Sequence, residues 1–284
     1  MGSLADDTEV QRLDGPGRYR ARLSGDWAIW GPNGGYLAAV ALRAVGAACG
    51  LPAPRPASFM CHFLGVAQFA EVELEVTTLR AAKRAESVRV AMTQDGQPIL
   101  EALVWTVADG LEALAHDAAP MPDVPGPDEL PSIEELLPGE PPLFPFWANI
   151  EQRPLAFIED WDNRPAGDPE LRGWFRFRPQ DVFADPFVDA GRLAVLVDTL
   201  QWPAAARAYA EPELEHVAPS IDLACRFHRP AQHAPWLFVR AHSPVADGGL
   251  VAGTAAVWGA DGRLLASGGQ QMLARPIAPR HRPH

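Results

Sequence analysis

The sequence predicts an α+β protein of two tandem units, each an antiparallel sheet wrapped around one long buried helix. Three observations carry that prediction. The two halves of the 284-residue chain repeat one order of elements, each half holds a single run that reads as a buried helix, and a Pro-rich acidic stretch separates them.

In the first half, residues 19–23 alternate as a strand does. The turn Gly31-Pro32-Asn33-Gly34-Gly35 then leads into an Ala/Leu-rich run over residues 36–45, which reads as a buried helix. Strand patterns follow at 58–64, 71–79, 87–93 and 98–107, the last two joined by Asp95-Gly96 as a hairpin turn. The second half repeats this with a strand at 173–178 and a buried helix over about 188–209. Strands at 221–227, 236–243, 249–258 and 263–273 complete it, with Asp261-Gly262 as the matching turn. Cys61-His62-Phe63 aligns with Cys225-Arg226-Phe227.

Residues 1–110 therefore form a first unit and 149–284 a second. Residues 111–148 are a Pro/acidic linker, within which Ser132 and Glu135 form a capping-box pattern. A helix with no polar face must be covered all round, so each lies against its own sheet. That description is a tandem, or double, hotdog. Edge pairing would join the two sheets into one and hide strands that otherwise invite aggregation.

A formal charge of -12 argues against nucleic acid or an anionic membrane as partner, since both need a basic field. Cys49, Cys61 and Cys225 are too few and too widely spaced for a disulfide framework or a zinc site, and read as small buried hydrophobes in a reducing compartment. No metal is expected. Residues 1–10 carry Asp6, Asp7 and Glu9 and no apolar run, so a cytoplasmic location is expected.

The repeat also locates candidate chemistry. A polar residue in one half that faces an apolar residue in the other has no shared structural reason to be there. Asp198 lies in the otherwise apolar stretch of residues 193–200 of the second helix, opposite Ala41 in the first half. A buried carboxylate costs several kcal/mol unless hydrogen-bonded, so it calls for an explanation, structural or catalytic. Gln270 stands on the last strand where the first half has Val104, and Ser220 opens a strand where the first half has Pro56 or Ala57. A carboxylate to take a proton from water, with a hydroxyl and an amide to orient it, suits attack on a thioester carbonyl. Gly34, Gly35, Tyr36 and Gly269 are the candidate substrate-binding positions, glycine allowing close backbone approach. His62 and His228 have no neighbours at metal or triad spacing.

These residues resemble the double-hotdog acyl-CoA thioesterases of the bacterial thioesterase II and peroxisomal group. The likeness lies in Gly34-Gly35-Tyr36, in residues 58–64 and 94–99, in Glu151-Gln152-Arg153-Pro154, in Ser220-Ile221-Asp222 leading to Phe227-His228-Arg229-Pro230, and in residues 261–267 leading to Gln270. The resemblance implies a catalytic Asp198, with Ser220 and Gln270 helping to activate the hydrolytic water. It also implies an acyl-CoA or acyl-carrier thioester substrate, no cofactor, and a homo-oligomer. The family often reads Gly-Gly-Gln where this chain has Gly34-Gly35-Tyr36, and Glu-Gly where it has Gln271-Met272. Two other readings stay open: a non-catalytic acyl-thioester binding or biosynthetic accessory protein, and a hotdog enoyl-CoA hydratase. The hydratase needs a His five residues after its Asp, where this chain has Pro203.

Overall fold

The computed structural model describes residues 1–112, 114–160, 163–211 and 214–277. Residues 278–284, with which the expected second unit ends, lie outside the described residues.

Strands β1 (Gln11–Arg12), β2 (Arg18–Arg22), β3 (Pro54–Phe63), β4 (Glu71–Ala81), β5 (Ala85–Gln94) and β6 (Gln97–Ala108) belong to the first half. The second half contributes β7 (Ile150–Pro154), β8 (Glu170–Phe177), β9 (His216–Val217), β10 (Asp222–Phe227), β11 (Leu237–Asp247), β12 (Leu250–Gly259), β13 (Leu264–Leu273) and β14 (Arg275–Pro276). All but β9 and β14, which pair with each other, form one antiparallel 12-stranded sheet in the order β1-β2-β4-β5-β6-β3-β10-β13-β12-β11-β8-β7. Each half contributes the same internal order, and β3 meets β10 edge to edge at the centre. The expected tandem hotdog with a continuous sheet is thus the observed architecture. Its alternation follows the strand period: on β4, Val72, Leu74 and Val76 are buried while Glu71, Glu73 and Glu75 face out. The Asp95-Gly96 hairpin has both φ angles positive, at 50° and 75°, as a two-residue primed turn requires.

The helices are α1 (Leu4–Asp7), α2 (Gly34–Ala48), α3 (Ile133–Leu136), α4 (Pro186–Thr199) and α5 (Gln201–Ala206). Asn33 caps α2 by accepting from the Tyr36 N–H (3.0 Å), and Asp185 caps α4 by accepting from Phe187 (2.8 Å) and Val188 (3.3 Å). The single helix expected over 188–209 is two. It breaks at Leu200, because Pro203 has no N–H to offer the Thr199 carbonyl.

α2 and α4 pack antiparallel against each other on the inner face of the sheet, at glycine contacts. A Cβ on Gly35 would lie 2.5 Å from Val195 Cα, one on Gly191 2.9 Å from Ala39 Cβ, and one on Gly46 2.7 Å from the Phe187 ring. Aligning the two caps, Asn33 on Asp185, sets Asp198 over Gly46. The pairing of Asp198 with Ala41 is therefore corrected by the helix starts. The strand pairing holds: Val88 faces Val104 across β5 and β6, and Gly253 faces Gln270 across β12 and β13.

The linker has a structural role beyond connection. Its chain covers an outer-face cluster of Trp174, Trp236, Phe238 and Trp258 with Met121, Val124 and Leu130. Trp174 Nε1 donates to the Pro125 carbonyl (2.9 Å) and Trp258 Nε1 to that of Ala119 (3.0 Å). Inside it, Ser132 and Glu135 form the expected reciprocal cap around α3.

α4 also carries a buried ion pair. Arg192, fully buried, donates to Asp189 Oδ1 (2.8 Å) and to the Ala234 carbonyl (3.0 Å), while Asp189 Oδ2 accepts from the Ala231 N–H (2.7 Å). Replacing Arg192→Leu strands the Asp189 charge and is expected to cost about 3–5 kcal/mol in urea or thermal unfolding. A loss below about 1 kcal/mol would mean that Asp189 finds other partners.

Candidate active site

Asp198 sits one residue before the end of α4, against the start of α2. Its side chain is buried, with 6% of the residue exposed. Oδ2 accepts from the Gly35 N–H (2.9 Å) and from Asn33 Nδ2 (3.0 Å), so the first half supplies both of its partners. Oδ1 has no protein partner. Burial pushes the carboxyl up from its ordinary value to about 6, against the pull of the Gly35 and Asn33 hydrogen bonds. A carboxyl in that range exchanges a proton readily near neutral pH.

Gln270 is buried on the helix-facing side of β13. Its Nε2 donates to the Asp198 main-chain carbonyl (3.2 Å), which places the two residues side by side. Gln270 Oε1, like Asp198 Oδ1, is buried without a protein partner. Among the described residues these are the only two buried side-chain oxygens left so. An unpartnered buried oxygen costs roughly 1–3 kcal/mol unless a water or ligand group donates to it.

Ser220 pairs with Met272 in an isolated bridge. The ladder slips by one residue between this bridge and the Ala224–Gly269 pair. That slip turns Ser220, which strict alternation would point outward, onto the face of the buried Met272, the face that also carries Gln270. Ser220 is half-buried, and neither Asp198 Oδ1 nor Gln270 Oε1 takes its hydroxyl as a partner.

The glycines divide. A Cβ on Gly34 would lie 2.9 Å from Phe63 Cζ and 3.2 Å from both carboxylate oxygens, so its absence keeps open the space between that ring and Asp198. Gly35 lets the helices close and aims its N–H at the carboxylate. Gly269, expected to line the site, lies on the outer face. Its missing side chain is explained by crowding, since a Cβ would sit 2.5 Å from the Gly253 carbonyl oxygen. The glycine on the inner face is Gly268, where a Cβ would meet Val197 Cγ1 at 2.8 Å. Tyr36 is also reassigned. Its ring is fully buried and stacked on Trp27 (5.4 Å between centroids), and its hydroxyl donates to the Asp7 carbonyl (2.6 Å) and accepts from the Ser24 N–H (3.1 Å). His228 shares a hydrogen bond with Ser267 Oγ (2.8 Å), away from this cluster.

Asn33 escaped the sequence reading because it looks like an ordinary turn residue. It is the N-cap of α2 and a donor to Asp198 at once, through opposite ends of one amide. Only its position just before the Gly-Gly pair could have marked it.

A cavity of about 570 Å³ opens at the other end of the helix pair, lined by Arg43, Gly46, Asp185, Pro186 and Phe187 among others. It is the pseudo-symmetric counterpart of the Asp198 site. There Phe187 and Gly46 stand where Gly35 and Asp198 stand in the first; its Asp185 carboxylate caps α4 and pairs with Arg43.

Comparison with known proteins bears on the chain as a whole. The model of the acyl-CoA thioesterase C-terminal domain matches residues 115–274, and that of the N-terminal domain matches residues 23–107. Among solved structures, a conserved hot dog fold protein of unknown function from Alicyclobacillus acidocaldarius superposes with a TM-score of 0.79 at 21% identity, over 98% of this chain and 100% of that one. Acyl-CoA thioesterase II TesB2 from Mycobacterium marinum gives 0.78 at 20% identity, over 97% and 99%. The tesB protein of Mycobacterium avium subs paratuberculosis gives 0.74 at 20%, over 96% and 98%. No curated protein matches the chain. With both halves matched in order, and the C-terminal model alone spanning more than half of the residues, the chain belongs to the double-hotdog acyl-CoA thioesterase family.

Proposed function

We propose that this thioesterase hydrolyses an acyl-CoA, or a related acyl thioester, by water held between Asp198 Oδ1 and Gln270 Oε1. The observation that carries the reading is that these two oxygens, on residues joined by a hydrogen bond, are both buried and both bare. A water donating one O–H to each keeps a lone pair free to attack. Asp198 takes the proton as the oxygen–carbon bond forms, the carbon–sulfur bond then breaks, and the proton returns to the departing thiolate sulfur. The developing oxyanion needs a preorganised donor. The N–H groups of Gly35, Tyr36 and Leu37 at the start of α2 bond to Asp198, Asn33 Oδ1 and the Asn33 carbonyl, so the Gly34 N–H is the donor assigned to it. Ser220 is assigned to orient the thioester or the water from the mouth of the site. The scheme calls for no cofactor.

The test is release of free thiol from short, medium and long acyl-CoAs as a function of pH. A base with a pKa of about 6 works deprotonated, so kcat/KM is expected to rise through about pH 6 and level off near pH 7. Asp198→Ala should lose about 10²–10⁴-fold in kcat on every substrate turned over. Turnover that ignores both pH in this range and Asp198 would sink the mechanism. No turnover by folded wild type would favour the accessory-protein reading or a carrier-bound substrate.

A further inference from the structure

We propose that Gln201, accommodated by the missing side chain of Gly253, is a positioning residue that holds Gln270 and the end of α4 in register around the reacting water. The inference rests on the assignment of Asp198 and Gln270 given above.

The break at Leu200 ends α4 one residue after Asp198. A continuous helix would offer the Val197 and Asp198 carbonyls the N–H groups of residues 201 and 202. Here side-chain amides do that work. Gln201 Nε2 donates to the Val197 carbonyl (2.5 Å) and Gln270 Nε2 to that of Asp198 (3.2 Å). The other end of the Gln201 amide, Oε1, accepts from the Gln270 main-chain N–H (3.1 Å). One fully buried side chain therefore ties the terminal turn of α4 to the strand residue whose amide flanks Asp198.

Space for that side chain exists only because position 253 is glycine. A Cβ there would lie 2.2 Å from Gln201 Oε1 and 2.7 Å from its Cβ. Gly253 pairs directly with Gln270 across β12 and β13. The equivalent pair in the first half is Val88 with Val104, two buried valines in van der Waals packing. In the second half, then, one valine is replaced by the functional amide and its partner by a gap into which Gln201 inserts. A structural need alone would have been met by the valine pair, as it is in the first half. Gln201 touches neither oxygen assigned to the water, so its effect passes through Gln270 and the Asp198 backbone.

The experiment is a double-mutant cycle on thiol release from acyl-CoA, with wild type, Gly253→Ala, Gln201→Ala and the double variant, each shown folded at the assay temperature by circular dichroism. Gly253→Ala should lower kcat by about 10–100-fold with KM changed less than about threefold, the signature of misplaced reacting groups. In the Gln201→Ala background the same substitution should change kcat by less than about twofold, because the clash is gone. The rising limb near pH 6 should stay in place in all four. Gln201→Met, similar in length but without the amide, should reproduce the kcat loss if Gly253→Ala alone does not fold. Equal losses in both backgrounds, or wild-type kcat in Gln201→Met, would overturn the proposal. Asp198→Ala in the same assay separates the two levels. If it retains wild-type turnover, the site assignment itself fails; if it is inactive while the Gln201 and Gly253 variants are normal, only the positioning role falls.

Discussion

Asp198→Asn is expected to abolish most activity and to stabilise the protein in the same substitution. The new side chain keeps the shape of the carboxylate, and its oxygen can still accept from the Gly35 N–H and the Asn33 amide. It cannot take a proton from water, so kcat should fall by about 10²–10⁴-fold. The stability gain follows from the raised pKa. Between the ordinary carboxyl value of 3.8 and the folded value of about 6, the native state keeps a proton that the unfolded chain has released. Stability contributed by Asp198 is thus present below about pH 4 and is lost as pH rises through 6. Above that, holding the charge in the fold costs about 3 kcal/mol, from a shift of about two units. Asn carries no such cost. Thermal melting at pH 8 should show the variant more stable than wild type, and the gap should shrink toward pH 4. A variant less stable at pH 8 would show that the charged carboxylate is itself a structural element.

Gly35→Ala is expected to damage fold and site together. The added methyl would lie 2.5 Å from Val195 Cα, 3.0 Å from the Ala194 carbonyl oxygen and 3.1 Å from Asp198 Cβ. The first two are backbone atoms of α4, which cannot turn away as a side-chain end can. The helices must separate, and overpacking of this kind costs roughly 1–3 kcal/mol or more. Separation also lengthens the bond from the Gly35 N–H to Asp198, so residual activity should fall further than the unfolded fraction explains. Urea unfolding together with kcat per folded molecule checks both parts. Unchanged stability would mean that the helix pair slides at little cost. Gly34→Ala contrasts with it, because its nearest neighbour is the tip of the Phe63 ring.

Periodicity made most of the architecture legible in the chain itself. Alternation in 71–79 and 87–93, the largely apolar runs at α2 and α4, and the two Asp-Gly turns are local consequences of which face each residue shows to water. The repeat then exposed Gln270 against Val104, because a strand's face depends only on counting from its hairpin turn. Helix register was harder. The apolar runs alone set Asp198 opposite Ala41, whereas the caps Asn33 and Asp185 place it opposite Gly46. The break at Leu200 is likewise hidden, although Pro203 is in plain view, since an Ala-rich helical pattern resumes at Ala204.

By itself, the sequence determined the tandem hotdog, its long apolar helices, and the identity of two polar residues placed where their repeat partners are apolar. The partners of those residues were decided by tertiary structure alone. Asn33 and Gly35 lie more than 160 positions from the Asp198 they bond, and Gln201 reaches Gln270 across a gap that Gly253 leaves. Gly269 and Tyr36 likewise changed meaning only when the strand face and the Trp27 stack were known. The physical reason is that burial is written into the local spacing of apolar residues, whereas a hydrogen bond depends on where two distant backbones cross. That crossing is set by close contacts such as Gly35 on Val195, which leave no periodic trace in the chain.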